Sequence, residues 1–212
     1  MKDELNQLLD DLKTAYDVSD IKHYCEEHNK GWFYSLVTTT MEKGGPMVIG
    51  FNWGAAKEVT YDPQLEVVKS DFLEEEVGSL SRIFPFCKQY FGDDFLSRIT
   101  QTNYCFFRSH EEKQITPKDV ELCEPILKRL IEIVQPSSIL CFSSQLRNRL
   151  LKDNKLNSVS STPIKFKRGK QDIIYDVYKA RVDGEIDIYF LPHPNYPMKA
   201  EARAAAWASC FV

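Results

Sequence analysis

The sequence contains no run of apolar residues that approaches the roughly 20 needed to cross a membrane. Its first eleven residues, MKDELNQLLDD, are too acidic for a signal or transit peptide. The six cysteines are scattered without closely spaced pairs, a pattern that disfavours a disulfide framework. These absences predict a cytoplasmic protein that contacts no membrane and keeps its thiols reduced.

Several motifs of common enzyme classes are missing as well. The sequence has neither the glycine-rich phosphate loop of nucleotide-binding folds nor the G-x-S-x-G motif of α/β-hydrolases. No pair of carboxylates suited to sugar hydrolysis follows the predicted strands described below. These absences disfavour serine hydrolases, sugar hydrolases and dehydrogenases, and no metal or cofactor is expected.

The composition is that of one globular domain. The chain has 212 residues, of which 43% are hydrophobic and 27% charged, so we expect a single domain over residues 1–212. A formal charge of −4 disfavours a protein that coats nucleic acid, although a local basic face remains open. Two basic stretches, Arg147–Lys155 and Lys165–Lys170, could form such a face or belong to an ordinary solvated surface.

Short apolar runs alternate with helical patterns along the chain. Such alternation is typical of an α/β three-layer sandwich, with a central, mainly parallel four-stranded sheet flanked by helices. The predicted strands are Met47–Phe51, Ile99–Tyr104, Ile139–Phe142 and Ile186–Leu191.

Capping and periodicity locate the remaining elements. Residues 1–30 form an amphipathic helical segment with a cap at Ser19, and residues 76–91 form a helix that Pro85 kinks or breaks. Thr116 caps the clearest helix, which Pro136 stops. Residues 162–182 alternate with period two around a central glycine, which predicts a hairpin added at an edge of the sheet.

Polar residues follow each predicted strand, at the edge where ligands bind in open α/β sheets. Asn52 follows the first strand, Asn103 ends the second, Ser143 follows the third and His193 the fourth. Each has an ordinary structural alternative, because an asparagine at a strand end is often a turn residue and Ser143 suits a helix cap. Their joint placement favours a binding site.

These motifs resemble, in order, those of the uracil-DNA glycosylase superfamily, over roughly residues 47–207. Residues 50–54 (GFNWG) look like its first motif, G-x-N-P-G, with Trp53 replacing the proline. Thr102-Asn103 is similar to the T-N step of the iron-sulfur branch, and residues 123–139 repeat the helix and strand that follow it. Residues 193–199 (HPNYPMK) resemble the closing motif.

The resemblance implies a DNA glycosylase that removes uracil or a related deaminated base without a cofactor. Asn52 and His193 would be catalytic, the first positioning water and the second stabilising negative charge on the departing base. Asn103 would read the base. The substrate pocket would further include Gly50, Phe51, Trp53 and Gly54, and contacts to DNA would come from Ser143, Arg147, Pro194, Asn195, Tyr196, Met198 and Lys199.

Departures from the family pattern support an alternative, a non-catalytic protein that binds a nucleobase or small molecule. Tyr61 and Phe72 are both candidates for the base-stacking aromatic. No iron-sulfur cluster is expected, because only Cys25 lies near the N-terminus, where the branch has a C-x-x-C pair. His23, Cys25 and His28 fit a polar helix face better than a metal site. In either case we expect a monomer.

Overall fold

A six-stranded sheet forms the centre of the protein in the computed structural model, which describes residues 2–37, 42–61, 80–182 and 185–211. The strands are β1 (Met47–Gly50), β2 (Trp53–Gly54), β3 (Thr100–Asn103), β4 (Arg108–Ser109), β5 (Ser138–Cys141), β6 (Leu156–Arg168), β7 (Gln171–Val182) and β8 (Ile186–Phe190). The main sheet has the order β3-β1-β5-β8-β7-β6, and β2 pairs with β4 separately.

The four predicted strands form the parallel part of the sheet. β3, β1, β5 and β8 are all parallel neighbours, whereas β7 pairs antiparallel with β8 and β6 antiparallel with β7. The prediction of a mainly parallel four-stranded sheet is therefore confirmed for this part. The predicted edge hairpin is also present, and it extends the sheet to six strands.

The hairpin begins at Leu156, earlier than the predicted start at Thr162. Residues 157–162 are exposed, so this part of β6 buries no apolar face. A period-two pattern requires one buried face, and without it the sequence carries no strand signal. In this part of β6 the strand is formed only by backbone pairing with β7.

Helices cover both faces of the sheet. They are α1 (Lys2–Asp17), α2 (Asp20–Glu27), α3 (Phe84–Phe91), α4 (Phe95–Arg98), α5 (Pro117–Val134), α6 (Ser144–Lys152) and α7 (Ala200–Phe211), with 3₁₀ turns at Leu80–Ile83 and Glu112–Gln114. Pro85 lies in the first turn of α3, where its missing N–H has no cost, so it starts this helix and does not break it. The predicted residues 76–79 lie outside the described ranges. Across those ranges, none of the helices is both long and apolar enough for a membrane span.

Alternate residues of the strands enter two separate cores. Met47 and Ile49 of β1 pack under α1, α5 and α6, whereas Val48 faces the opposite core with α3 and α7. Trp207 of α7 is fully buried in that second core. The parallel strands are thus buried on both faces, as expected for a sheet between two helical layers.

Asp119 joins two helices at their N-termini. Thr116 caps α5, as predicted, and it also forms a capping box with Asp119. The same carboxylate accepts hydrogen bonds from the backbone N–H groups of Asp20 and Ile21 at the start of α2. Gln135 ends α5 in a left-handed conformation with φ 47°.

Candidate active site

A pocket of about 170 Å³ lies where the parallel strands end. The carboxyl ends of neighbouring parallel strands meet at one edge of a sheet, so polar residues far apart in the chain converge there. The pocket brings together eight residues predicted from the sequence, namely Gly50, Phe51, Asn52, Trp53, Gly54, Asn103, His193 and Pro194. Val48, Gln101, Thr102 and Phe142 complete its lining and were not predicted.

The side-chain amide of Asn103 faces this pocket and has no hydrogen-bond partner among the described residues. Asn103 is 6% exposed and lies opposite Gly50 in the β1–β3 register. Its amide makes no hydrogen bond to any residue that the structure describes. The amide atoms keep access to the open pocket, so this side chain is suited to bind a ligand that supplies both a donor and an acceptor.

Gly50 makes room for that amide. A Cβ atom at position 50 would lie 2.2 Å from Asn103 Oδ1, which is closer than real Cβ contacts allow. Glycine is therefore required here because the neighbouring side chain approaches the backbone.

Hydrogen bonds fix the orientation of the Asn52 amide. Asn52 Nδ2 donates to Ser109 Oγ at 2.8 Å and to the carbonyl of Trp53 at 3.1 Å. Ser109 Oγ donates its own hydrogen to the carbonyl of Glu111, so it can only accept from Asn52. Nδ2 therefore faces Ser109, and Asn52 Oδ1 is left as an acceptor.

Trp53 is held in the wall of the pocket. Its indole N–H donates to the carbonyl of Ser35 at 2.5 Å, and the ring is 7% exposed. The guanidinium of Arg108 lies 5.9 Å from the Trp53 ring and donates to the carbonyl of Gly54. Parallel pairing of β2 with β4 fastens this turn to the segment that carries Ser109.

His193 stands at the pocket in a defined tautomer. Its Nδ1 accepts a hydrogen bond from the backbone N–H of Asn195 at 3.1 Å, so in the neutral ring the proton is on Nε2. The ring is open to solvent on one side, yet the surrounding protein displaces enough water to lower the pKa of His193 below 6.5. The neutral ring can therefore donate from Nε2 near pH 7.

Arg203 of α7 holds the loop of residues 193–199, which we call the closing loop. Arg203 is 7% exposed, and its guanidinium donates to the carbonyls of Pro192, His193 and Tyr196. The sequence does not indicate this residue, because one arginine in an alanine-rich segment gives no sign of burial. Nor does it indicate Arg108 and Ser109, because the two-residue strand β4 that they form carries no recognisable motif.

The other predicted DNA contacts lie outside the pocket. Ser143 is buried and caps α6 by accepting from the N–H of Leu146. The guanidinium of Arg147 lies 5.1 Å from the ring of Tyr178. Asn195 is exposed, Tyr196 and Met198 pack against the second core, and Lys199 lies in an exposed groove beside α7.

Of the two candidates for a stacking aromatic, Tyr61 lies outside the pocket lining. Tyr61 lies under the guanidinium of Arg108 at 4.5 Å, and its hydroxyl accepts from the N–H of Ala56. Phe72 lies outside the described residues. Phe51 and Phe142 are the phenylalanine rings that line the pocket.

All six cysteines are free and buried. The Sγ atoms of Cys105 and Cys123 lie 3.9 Å apart, and Cys25 contacts the carbonyl of Trp32. Within the described ranges, no three His, Cys, Asp or Glu side chains are grouped closely enough to hold a metal ion. His28 contacts the carbonyl of Tyr24 instead.

No protein-family model and no curated protein matches the chain.

Proposed function

We propose that this protein is a uracil-DNA glycosylase-like enzyme, which hydrolyses the N-glycosidic bond of uracil or a related deaminated base in DNA. The observation that carries the proposal is the convergence of Asn52, Asn103 and His193 in one small pocket at the carboxyl edge of a parallel sheet. The same three residues carry the resemblance of the sequence to that superfamily.

The size of the pocket supports a single six-membered ring. A cavity of roughly 150 Å³ is large enough to hold benzene, and this pocket measures about 170 Å³. The unpartnered Asn103 amide offers one donor and one acceptor, which match the N3–H and O4 edge of uracil. Cytosine presents the opposite pattern at that edge and would require the amide to turn over by 180° about its Cβ–Cγ bond.

His193 and Asn52 supply the chemistry in this proposal. Nε2–H of His193 donates to O2 of uracil, where negative charge grows as the glycosidic bond breaks. Oδ1 of Asn52 accepts a hydrogen bond from the attacking water and orients it towards C1′. An amide cannot take the proton from that water as a carboxylate can, so the proton passes through solvent to the departing uracil anion, and turnover is expected to be slow.

A second candidate is a non-catalytic protein that binds a nucleobase in the same pocket. Trp53 favours it, because this bulky, buried ring stands in the wall where the family has proline. Such a protein would bind the free base without releasing it from DNA.

The test is single-turnover release of uracil from labelled oligonucleotides that carry it in a single strand, opposite guanine or opposite adenine. We expect release by the wild type, with a rate about 100- to 1,000-fold lower for His193→Ala and for Asn52→Ala. Lys43→Gln, an exposed site outside the pocket lining, is the matched control and should leave the rate unchanged.

The outcomes separate the two candidates. Activity that survives both substitutions contradicts the assigned roles and indicates a contaminating enzyme. No release from any substrate, combined with binding of free uracil that Asn103→Ala abolishes, favours the non-catalytic protein.

A further inference from the structure

Positive charge is concentrated in one part of this acidic molecule. Residues 144–182, from the start of α6 to the end of β7, contain ten Lys and Arg and three Asp and Glu, a net charge of +7. The rest of the chain contains 17 Lys and Arg and 28 Asp and Glu, a net charge of −11. The formal charge of −4 therefore conceals a strongly polarised molecule.

The hairpin carries part of this charge past the edge of the sheet where the pocket lies. β8 ends at Phe190, which pairs with Tyr178, so residues 171–177 of β7 and their partners on β6 continue beyond it. We call residues 162–177 the hairpin arm. β8 runs parallel to β1, β3 and β5, so the arm projects from the same carboxyl edge that holds the pocket. At 3.2–3.4 Å per residue the projection is about 20 Å.

The arm is packed against the closing loop of the pocket. The ring of Tyr196 lies 5.1 Å from Tyr175 and 6.3 Å from Phe166, and the Tyr175 hydroxyl donates to the carbonyl of Leu191. Ile164, Phe166 and Val177 are buried on this side of the arm. The arm is thus fixed against Tyr196 of the closing loop.

The cations of the arm are exposed, and the carboxylates of the arm neutralise only part of their charge. Lys165, Lys167, Arg168 and Lys170 make no ion pair with a carboxylate in the described part of the chain. Asp172 faces Lys167 across the strands and Asp176 faces Pro163, so the arm keeps two uncompensated charges. Lys199 and Arg147 flank it, with Glu201 as the carboxylate beside Lys199.

We infer that the hairpin arm is a docking surface for the phosphate backbone of a nucleic acid strand, which it guides past the pocket. Phosphates follow one another at about 3.4 Å along each strand of duplex DNA, so an arm of about 20 Å spans roughly six of them. A free base or nucleoside would gain nothing from such an arm. The inference deepens the proposed function and rests on it for the identity of the partner.

The test measures binding of a fluorescein-labelled 20-nucleotide single-stranded DNA by anisotropy between 50 and 300 mM salt. The variant Lys165→Gln/Arg168→Gln/Lys170→Gln removes the three cations that face no carboxylate across the hairpin. We expect at least a tenfold loss of affinity at low salt, and a slope of log K against log salt that is less steep by about 2.

The control variant Lys13→Gln/Lys43→Gln/Lys88→Gln removes the same charge from exposed positions outside the arm and should keep the wild-type slope. Equal salt slopes for the arm variant and the wild type overturn the inference. It is also overturned if the arm cations are needed for binding to polyglutamate or to phosphatidylserine vesicles but not for binding to DNA. Asn52→Ala/His193→Ala separates the two proposals, because it should keep DNA binding while losing base release. Arm-dependent binding without base release by the wild type refutes only the glycosylase.

Discussion

At the scale of single residues, the site depends on how closely two strands approach. Asn103 ends β3 opposite Gly50 of β1, and its Oδ1 occupies the space that a side chain at position 50 would fill. The amide can lie this close to the backbone of β1 because glycine is its neighbour. The glycine is therefore part of the binding site although it makes no polar side-chain contact.

Gly50→Ala should displace the Asn103 amide. We expect uracil binding and base release to fall to background, and the free energy of unfolding to decrease by about 1–3 kcal/mol from overpacking. Gly54→Ala is the matched control, because a Cβ atom there meets nothing within 4 Å. Urea denaturation and single-turnover assays of both variants measure the difference, and equal behaviour of the two would contradict the steric role of Gly50.

His193 should give the stability of the protein a dependence on pH. Partial burial holds its folded-state pKa below the ordinary value of 6.5, so the unfolded chain binds the proton more readily. The stabilisation from the neutral ring is complete above pH 6.5 and is lost as the pH falls through the lowered folded-state pKa. Urea titrations between pH 4.5 and 8 should show this loss in the wild type. His193→Gln should show a smaller loss, and identical profiles would refute the assignment.

At the scale of elements, the closing loop is shaped by a helix that follows it in the chain. Arg203 of α7 donates to three carbonyls of residues 192–196, and the N–H of Asn195 holds the imidazole of His193. The prolines around His193 restrict the backbone, but they do not determine where the loop lies relative to the pocket. The position of the loop relative to the pocket is set by the hydrogen bonds that Arg203 of α7 donates to it.

Arg203→Gln should loosen the closing loop. Loss of a charged donor from three carbonyls is expected to lower the free energy of unfolding by about 2–4 kcal/mol, and to slow base release because His193 is no longer held. Arg181→Gln is the comparison, since Arg181 is exposed and pairs with Asp187, a contact whose loss costs less than about 1 kcal/mol. Urea denaturation ranks the two, and an equal cost would show that the Arg203 contacts contribute little.

At the scale of the whole molecule, the two cores rather than covalent links hold the layers together. All six thiols are buried and free, and burial raises the pKa of Cys141 to about 12 and that of Cys210 to about 11. A protonated thiol without access to solvent reacts slowly.

A thiol reagent such as Ellman's reagent should therefore find no fast-reacting cysteine in the native protein and six in urea. The urea midpoint should be the same with and without reductant, because no disulfide contributes to stability. A native thiol that reacts within seconds would contradict the burial of the cysteines, and a midpoint that reductant lowers would reveal a disulfide.

The sequence by itself determined the parallel strands, the cap of α5 and eight of the residues that line the pocket. Each of these depends on local signals, namely apolar runs, a Thr-Pro-Lys-Asp start and polar residues at strand ends. Asn52, Asn103 and His193 could be grouped in advance because parallel strands end at a common edge.

Only the tertiary structure decided how those residues are held and what surrounds them. Ser109 orients Asn52, Arg203 holds the closing loop, and Phe142 completes the pocket through contacts between distant parts of the chain. The exposed start of β6 and the projection of the hairpin arm follow from strand register, which leaves no periodic trace where no face is buried. Non-local packing is the physical reason for each of these features, and a local pattern does not encode it.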